Sequence, residues 1–138
     1  MERVVVDTAA WVRRTSEVER SVEVEAVDVQ LTYDCGDPLA VTISIRGDEA
    51  VVWVLGRELL AEGLRSGTPV GEGRVQVQST SVLTEVTWRS EGGAVTLLRL
   101  PWWNTREFVR LTQARVPVGA EECDVDAWVA ALLATGEA

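Results

Sequence analysis

An α+β fold built from antiparallel β-sheets with two to three helices is what this 138-residue sequence predicts. Three observations carry the prediction. Between residues 22 and 55, apolar and polar residues alternate with period two, interrupted by turn residues, as in half-buried strands. From Arg74 to Leu100 the alternation returns in short arms separated by turns, the pattern of a meander. Around Leu60, and again toward the end of the chain, apolar residues recur at helical spacing instead. No repeat, low-complexity tract or dividing linker interrupts the chain, so one domain over residues 1–138 is expected.

The elements follow in order. Val4, Val6, Ala10 and Val12 share one parity, with Val5 and Trp11 on the other, and predict a first strand within residues 3–14. In the next segment Val22 and Val24 alternate with Glu23 and Glu25, and then Val27, Val29, Leu31 and Tyr33 continue in the opposite phase. A one-residue slip exchanges the faces of a strand, so a bulge or break is expected near Ala26. Asp34, Gly36, Asp37 and Pro38 form a turn. Val41, Ile43 and Ile45 define a half-buried strand, and Arg46-Gly47-Asp48-Glu49 closes a hairpin onto Val51-Val52-Trp53-Val54-Leu55. Both parities of that last run are apolar, which predicts a central strand covered on both sides.

After Gly56, the residues Leu59, Leu60 and Leu64 mark a short amphipathic helix whose charged residues Arg57, Glu58 and Glu62 point elsewhere. Residues 66–73 are a loop by composition, and strands follow through Val75 and Val77, through Val82, Thr84, Val86 and Trp88, and from Val95 to Leu100. Two helices end the chain. Asn104 with Glu107 resembles a capping box, with Trp103 placed to staple against Phe108. Asp124 opens the last helix, in which Val125, Trp128, Val129, Leu132 and Leu133 form an apolar stripe that stops at Gly136.

Composition narrows the function classes. The balance of 13 Lys+Arg against 22 Asp+Glu gives a net charge of −9, which disfavours nucleic acid as a partner unless the cations gather on one face. The chain has no histidine, so the usual proton shuttle and the commonest metal ligand are missing. Cys35 and Cys123 are too few and too isolated for a disulfide framework or a thiolate cage, and read as thiols in a reducing cytoplasm. No stretch approaches the ~20 apolar residues that a membrane-spanning helix needs. An unexported, soluble protein is expected. Six tryptophans against one Phe and one Tyr suggest a core or an interface built on large rigid anchors.

Candidate chemistry is sparse, and no catalytic, metal or cofactor residue is expected. Asp34 and Asp37 could pose as an acid/base pair, but turn roles account for them without a substrate. Gly67, Gly71 and Gly73 sit in a loop that leaves a helix and enters a strand, the reverse of a phosphate-binding loop. Arg13, Arg14, Arg106, Arg110 and Arg115 are the material for a basic patch, with Trp53 and Trp88 available to stack bases. A buried role for these tryptophans and solvated arginines fits the net charge better. Trp102 and Trp103 stand at a strand-to-helix junction, where one of the two indoles is expected at a protein interface.

Four segments in series carry a family resemblance. They are Tyr33-Asp34-x-x-Asp37-Pro38-x-Ala40-Val41, Val52-Trp53-Val54, Arg57-Glu58-Leu59-Leu60-Ala61-Glu62-Gly63-Leu64, and Gly67-Thr68-Pro69-x-Gly71-x-Gly73-Arg74-Val75. Their order and spacing resemble the SsgA-like family of actinobacterial sporulation and cell-division proteins, closely from about residue 33 to 78 and more loosely beyond. The first 30 residues match poorly, and Gln78-Ser79 stands where the family pattern has an aromatic and a proline. The resemblance implies a whirly-like fold, similar to single-strand-binding domains, and assembly as a homotrimer.

It also implies a non-enzymatic regulator, cytoplasmic and at the division septum, that touches the membrane only indirectly. The implied partners are division proteins, either the tubulin-like GTPase FtsZ or another SsgA-like protein. The alternative that the fold analogy leaves open is a whirly-like single-stranded nucleic-acid-binding protein. Arg57, Glu58 and Glu62 are the candidate exposed strip facing a partner, with Trp102 as a further candidate.

Overall fold

The computed structural model describes residues 2–15, 22–46 and 51–120. Chain order gives strands β1 (Arg3–Thr15), β2 (Val22–Asp34), β3 (Ala40–Arg46) and β4 (Val51–Gly56), then helix α1 (Arg57–Leu64). Strands β5 (Val75–Ser79), β6 (Leu83–Arg89) and β7 (Val95–Pro101) follow, and helix α2 (Trp102–Arg115) comes after them. All strand pairs are antiparallel, in one seven-stranded sheet of order β4-β3-β2-β1-β7-β6-β5. The α+β expectation holds.

Two meanders share this sheet, and β1 joins them. Along its whole length β1 pairs with β2, while only Trp11–Thr15 pair with β7 on the other side. The first half of β1 is therefore free to diverge from β7, and right-handed twist accumulates across the sheet. The sheet curls until Trp53 of β4 stacks on Trp88 of β6, with ring centroids 5.3 Å apart. One face of every strand lines the resulting hollow. Val12, Leu31, Ile43, Val77, Val86 and Leu98 fill it, and Leu60, Leu64 and Phe108 of the helices close it.

The pattern near Ala26 resolves differently from the expected bulge. The β1–β2 register runs one-to-one from Arg3↔Asp34 to Thr15↔Val22 with no extra residue. Val24 consequently points to the outer face, 66% exposed, and Glu25 takes the parity of Val27 and reaches Arg14 at 3.4 Å. An unbroken hydrogen-bond ladder outweighs the apolar preference of one valine near the end of the sheet, where solvent is close.

The run Val51–Leu55 is also corrected: β4 is an edge strand and not a central one. Trp53 and Leu55 are buried, but Val52 and Val54 lie on the convex face, 62% and 56% exposed. The opposite edge is dressed by its own loop, because Val70 and Val77 exchange backbone hydrogen bonds at 2.9 Å and the Ser79 N–H donates to the Ser66 carbonyl at 2.8 Å. The expected turn at Asp34–Pro38, the loop of residues 66–73 and the late meander are present. The turn of the β3–β4 hairpin, Cys123 and the helix expected from Asp124 to Gly136 lie outside the described residues.

Helix α2 begins at Trp102, ahead of the cap that the sequence suggests at Asn104. β7 passes straight into the helix at Pro101, whose ring fixes φ near the helical value. No side chain caps it. The first N–H, of Trp102, donates instead to the Val82 carbonyl at 2.9 Å, so the neighbouring loop satisfies it. Asn104 is freed from capping and donates from Nδ2 to Thr8 Oγ1 at 2.9 Å, tying α2 to β1.

Candidate partner surface on α1 and α2

Helix α1 has a buried stripe at Arg57, Leu60, Ala61 and Leu64, the i, i+3, i+4, i+7 positions of one face. Arg57 thus starts the inner stripe. It is 2% exposed, its Nη1 donates to the carbonyls of Thr112 at 3.2 Å and Val116 at 2.6 Å, and its guanidinium lies 5.2 Å from the centroid of the Tyr33 ring. Tyr33 in turn donates its hydroxyl to the Pro38 carbonyl at 3.0 Å. Arg57 is therefore removed from the exposed strip that the sequence suggested. Its planar fork bonds carbonyls at the C-terminal end of α2, where the helix leaves acceptor capacity over.

Glu58 and Glu62 do sit together on the outside, one helical turn apart, and Arg65 extends the same exposed region at the end of the helix. α1 can lie this close to the sheet only because position 63 is glycine. A Cβ there would stand 2.1 Å from Val77 Cγ1. Gly71 beneath the helix has φ +117°, and a Cβ there would meet the Val75 carbonyl oxygen at 2.5 Å, so both the backbone angle and the space require glycine.

The two tryptophans divide as the junction suggested, but with the roles exchanged. Trp102 is half-buried and donates its indole N–H to the Leu64 carbonyl at 3.0 Å, linking the end of α1 to the start of α2. Trp103 is the outward indole, 66% exposed. Because the helix starts at Trp102, its inner stripe runs through Thr105, Phe108, Val109 and Thr112, and position 103 is turned about 100° from its neighbour at 102. Arg106 packs its guanidinium over both rings, 5.6 Å from Trp102 and 5.2 Å from Trp103.

A groove runs between the helices. At one end a cleft of about 550 Å³ is bordered by Glu58, Glu62 and Glu72. At the other, a hollow of about 200 Å³ is bordered by Trp102, Arg106 and Arg110. Ala61, Arg65 and Gln113 border both, so the two adjoin. Carboxylates border only the first end, where the inward Arg57 also stands, Arg106 and Arg110 border only the second, and Arg65 is shared by both. Arg110 grips Glu107 with Nε–Oε2 at 2.9 Å, and this hydrogen bonding, helped by the charges of Arg110 and Arg106, holds the Glu107 carboxyl below its ordinary pKa. Arg65 and Arg106 have no carboxylate within ion-pair distance among the described residues.

Other sequence candidates fall elsewhere. Asp34 accepts the Gly36 N–H at 2.8 Å, the hydrogen bond of an Asx turn. Trp53 and Trp88 face each other within the hollow, so neither offers a free ring for a base. Arg14, Arg110 and Arg115 pair with Glu25, Glu107 and Glu2 and do not assemble one basic patch. Among the described residues, no group of three or more His, Cys, Asp or Glu is placed to hold a metal ion, and no helix is long and apolar enough to cross a membrane. Sequence reasoning did not single out Arg65, considered Arg106 only for a basic patch, and named Trp102 as the partner-facing indole where Trp103 is the more exposed of the two. A helix start at Pro101 was the signal that would have located Trp103 and set Arg106 beside it.

Among known proteins, residues 27–121 match the family described as Streptomyces sporulation and cell division protein, SsgA. Over 115 residues the chain is 35% identical to the sporulation-specific cell division protein SsgB of Frankia casuarinae, covering 78% of each chain. Over 105 residues it is 37% identical to SsgB of Streptomyces coelicolor, covering 72% of this chain and 75% of that one. One solved structure, described as "Mutations in SsgB correlate to longitudinal cell division during sporulation of Streptomyces coelicolor", superposes with a TM-score of 0.68 at 32% identity, over 88% of this chain and 94% of the other. An SsgA-like sporulation-specific cell division protein from Thermobifida fusca superposes with a TM-score of 0.71 at 25% identity, over 91% and 93%.

Proposed function

The chain belongs to the SsgA family of sporulation and cell division proteins, and we propose that it is a non-enzymatic regulator of sporulation-specific septation. It acts in cell division during sporulation, positioning or supporting the septation machinery through protein–protein contacts with FtsZ or with another SsgA-like protein. It works in the cytoplasm at the division septum, as a single-domain homotrimer that meets the membrane only through partners. The observation that carries this reading is the match over residues 27–121 to a family of cell division proteins. The exposed Glu58 and Glu62 of α1, beside the groove and the outward Trp103, supply a surface suited to such contacts.

Two measurements test it. A fluorescent fusion in sporulating hyphae is expected to form ladders at the septa, and purified protein is expected to co-sediment with FtsZ polymers or with a second SsgA-like protein. Diffuse fluorescence together with no co-sedimentation of either partner would sink the reading. Light scattering after size exclusion is expected to give three times the 15.1 kDa chain mass, and a monomer at micromolar concentration would remove the trimer.

A further inference from the structure

The end of the α1/α2 groove at Trp102 and Arg106, with Trp103 beside Arg106, gathers positive charge on a chain that is acidic as a whole. The chain carries a net charge of −9, yet Arg106 and Arg110 border this hollow and Arg65 borders both, while the carboxylates Glu58, Glu62 and Glu72 border only the other end. Arg110 is engaged with Glu107. Arg65 and Arg106 have no carboxylate within ion-pair distance among the described residues, so both keep guanidinium donors available. Arg106 is also held against Trp102 and Trp103, which leaves less rotamer freedom to lose when a ligand arrives. Trp103 adds a large exposed apolar face next to this charge. Arg and Trp side by side, one fixed by the other, are the residue types that carry most binding energy at interfaces.

We propose that this end of the groove docks an acidic peptide segment of the protein's division partner, with carboxylates on Arg65 and Arg106 and a bulky apolar side chain on Trp103. The proposal rests on the reading above and names the chemistry of the partner. The net charge does not forbid it: at physiological salt the Debye length is about 8 Å, so the guanidiniums in contact outweigh carboxylates farther away. Phosphodiester chains fit less well. They need a continuous basic track, and here the groove turns acidic beyond Arg65. The carboxylates at that far end also set polarity, since an acidic segment running past Arg65 would be repelled by Glu62 and Glu58.

The test is an unbiased one, because the partner sequence is not needed. A random heptapeptide display library is selected on the purified full chain, and on the Arg106→Glu and Trp103→Ala variants after circular dichroism has verified their fold. Both residues are exposed, so neither substitution removes core packing. The expected result is enrichment of peptides combining Asp or Glu with one bulky apolar residue. Their affinity should fall at least tenfold on Arg106→Glu and on Trp103→Ala and weaken as salt is raised. Enrichment of basic or uncharged peptides, equal binding to both variants, or no enrichment would overturn the proposal. So would a labelled single-stranded oligonucleotide that binds the wild type and loses binding on Arg106→Glu. Co-sedimentation of wild type and Arg106→Glu with FtsZ and with a second SsgA-like protein separates the two levels. Binding by wild type and by Arg106→Glu alike removes the peptide site and leaves the septation reading standing, whereas binding to neither partner by wild type, together with diffuse fluorescence of the fusion, removes that reading itself.

Discussion

Trp53 of β4 lies almost parallel to Trp88 of β6, at an interplanar angle of 13° and 5.3 Å between centroids, although the two strands belong to opposite halves of the sheet. No backbone ladder connects them. The curl of the sheet is closed at this point by side chains alone, so the stack sets how tightly the two halves face one another.

Removing Trp53 should therefore be costly. Trp53→Ala is expected to lower unfolding free energy by about 3–5 kcal/mol, as for other large-to-small changes of buried aromatics. Trp88→Ala, at a half-buried site, should cost less. A double-mutant cycle read by urea unfolding should give a coupling of about 0.5–1.5 kcal/mol from the ring contact itself. Strict additivity would mean that the stack contributes nothing beyond burial.

Gly63→Ala tests the approach of α1 to β5. By helix propensity alone the change should stabilise by ~1 kcal/mol. Because the new methyl would meet Val77 Cγ1, a net loss of about 1–3 kcal/mol is expected instead. The loss should shrink when Val77→Ala is combined with it. Stabilisation by Gly63→Ala alone would show that the helix can lift away freely.

Arg57 and Glu58 are neighbours with opposite assignments. Arg57→Met keeps much of the stem but leaves the Thr112 and Val116 carbonyls without its donors, and should cost about 2–3 kcal/mol of stability. Glu58→Gln, on the exposed face, should stay within about 0.5 kcal/mol. Thermal melts of the two variants distinguish a stability role from a surface role, and a neutral Arg57→Met would overturn the buried assignment.

Val52 and Val54 test the edge position of β4. Val54→Thr should change stability by no more than about 0.5 kcal/mol, since its side chain is already in solvent. A loss of several kcal/mol would return β4 to the covered, central position that its composition suggests.

The Glu107–Arg110 pair makes a pH prediction. Hydrogen bonding to Arg110 lowers the Glu107 pKa in the folded chain, so the pair's stabilisation is present above the unfolded carboxylate value. It is lost as pH falls through the lower folded value. Both groups are solvent-exposed, so the effect is small and screened by salt. The melting-temperature difference between wild type and Glu107→Gln should be positive at neutral pH and low salt, and should vanish in acid. A difference that grows in acid would reverse the sign.

How far the sequence reaches can be judged from particular residues. The alternation of Val41, Ile43 and Ile45, the turn residues Asp34 to Pro38 and the Leu60–Leu64 spacing are local chemistry, and local chemistry determined the α+β fold and most of its elements. The order of short motifs from Tyr33 to Val75 determined the family. Burial of individual side chains on those elements was a different matter. Periodicity reports that a strand or helix has an apolar face but not what stands opposite it, so Val51–Leu55 read as central when it is an edge, and Arg57 read as outward when it begins the inner stripe of α1.

Tertiary structure decided these because each depends on a neighbour distant in sequence. Arg57 is drawn inward by the end of α2, 55 residues along the chain, Gly63 is required by Val77, and Trp103 is turned outward because the Val82 carbonyl and Pro101 fix where α2 starts. The paired guanidinium and indole of the groove follow from that start. Local patterns specify which faces are apolar, and only the closing of the curled sheet, with its packing and hydrogen-bond demands, chooses which of them meet.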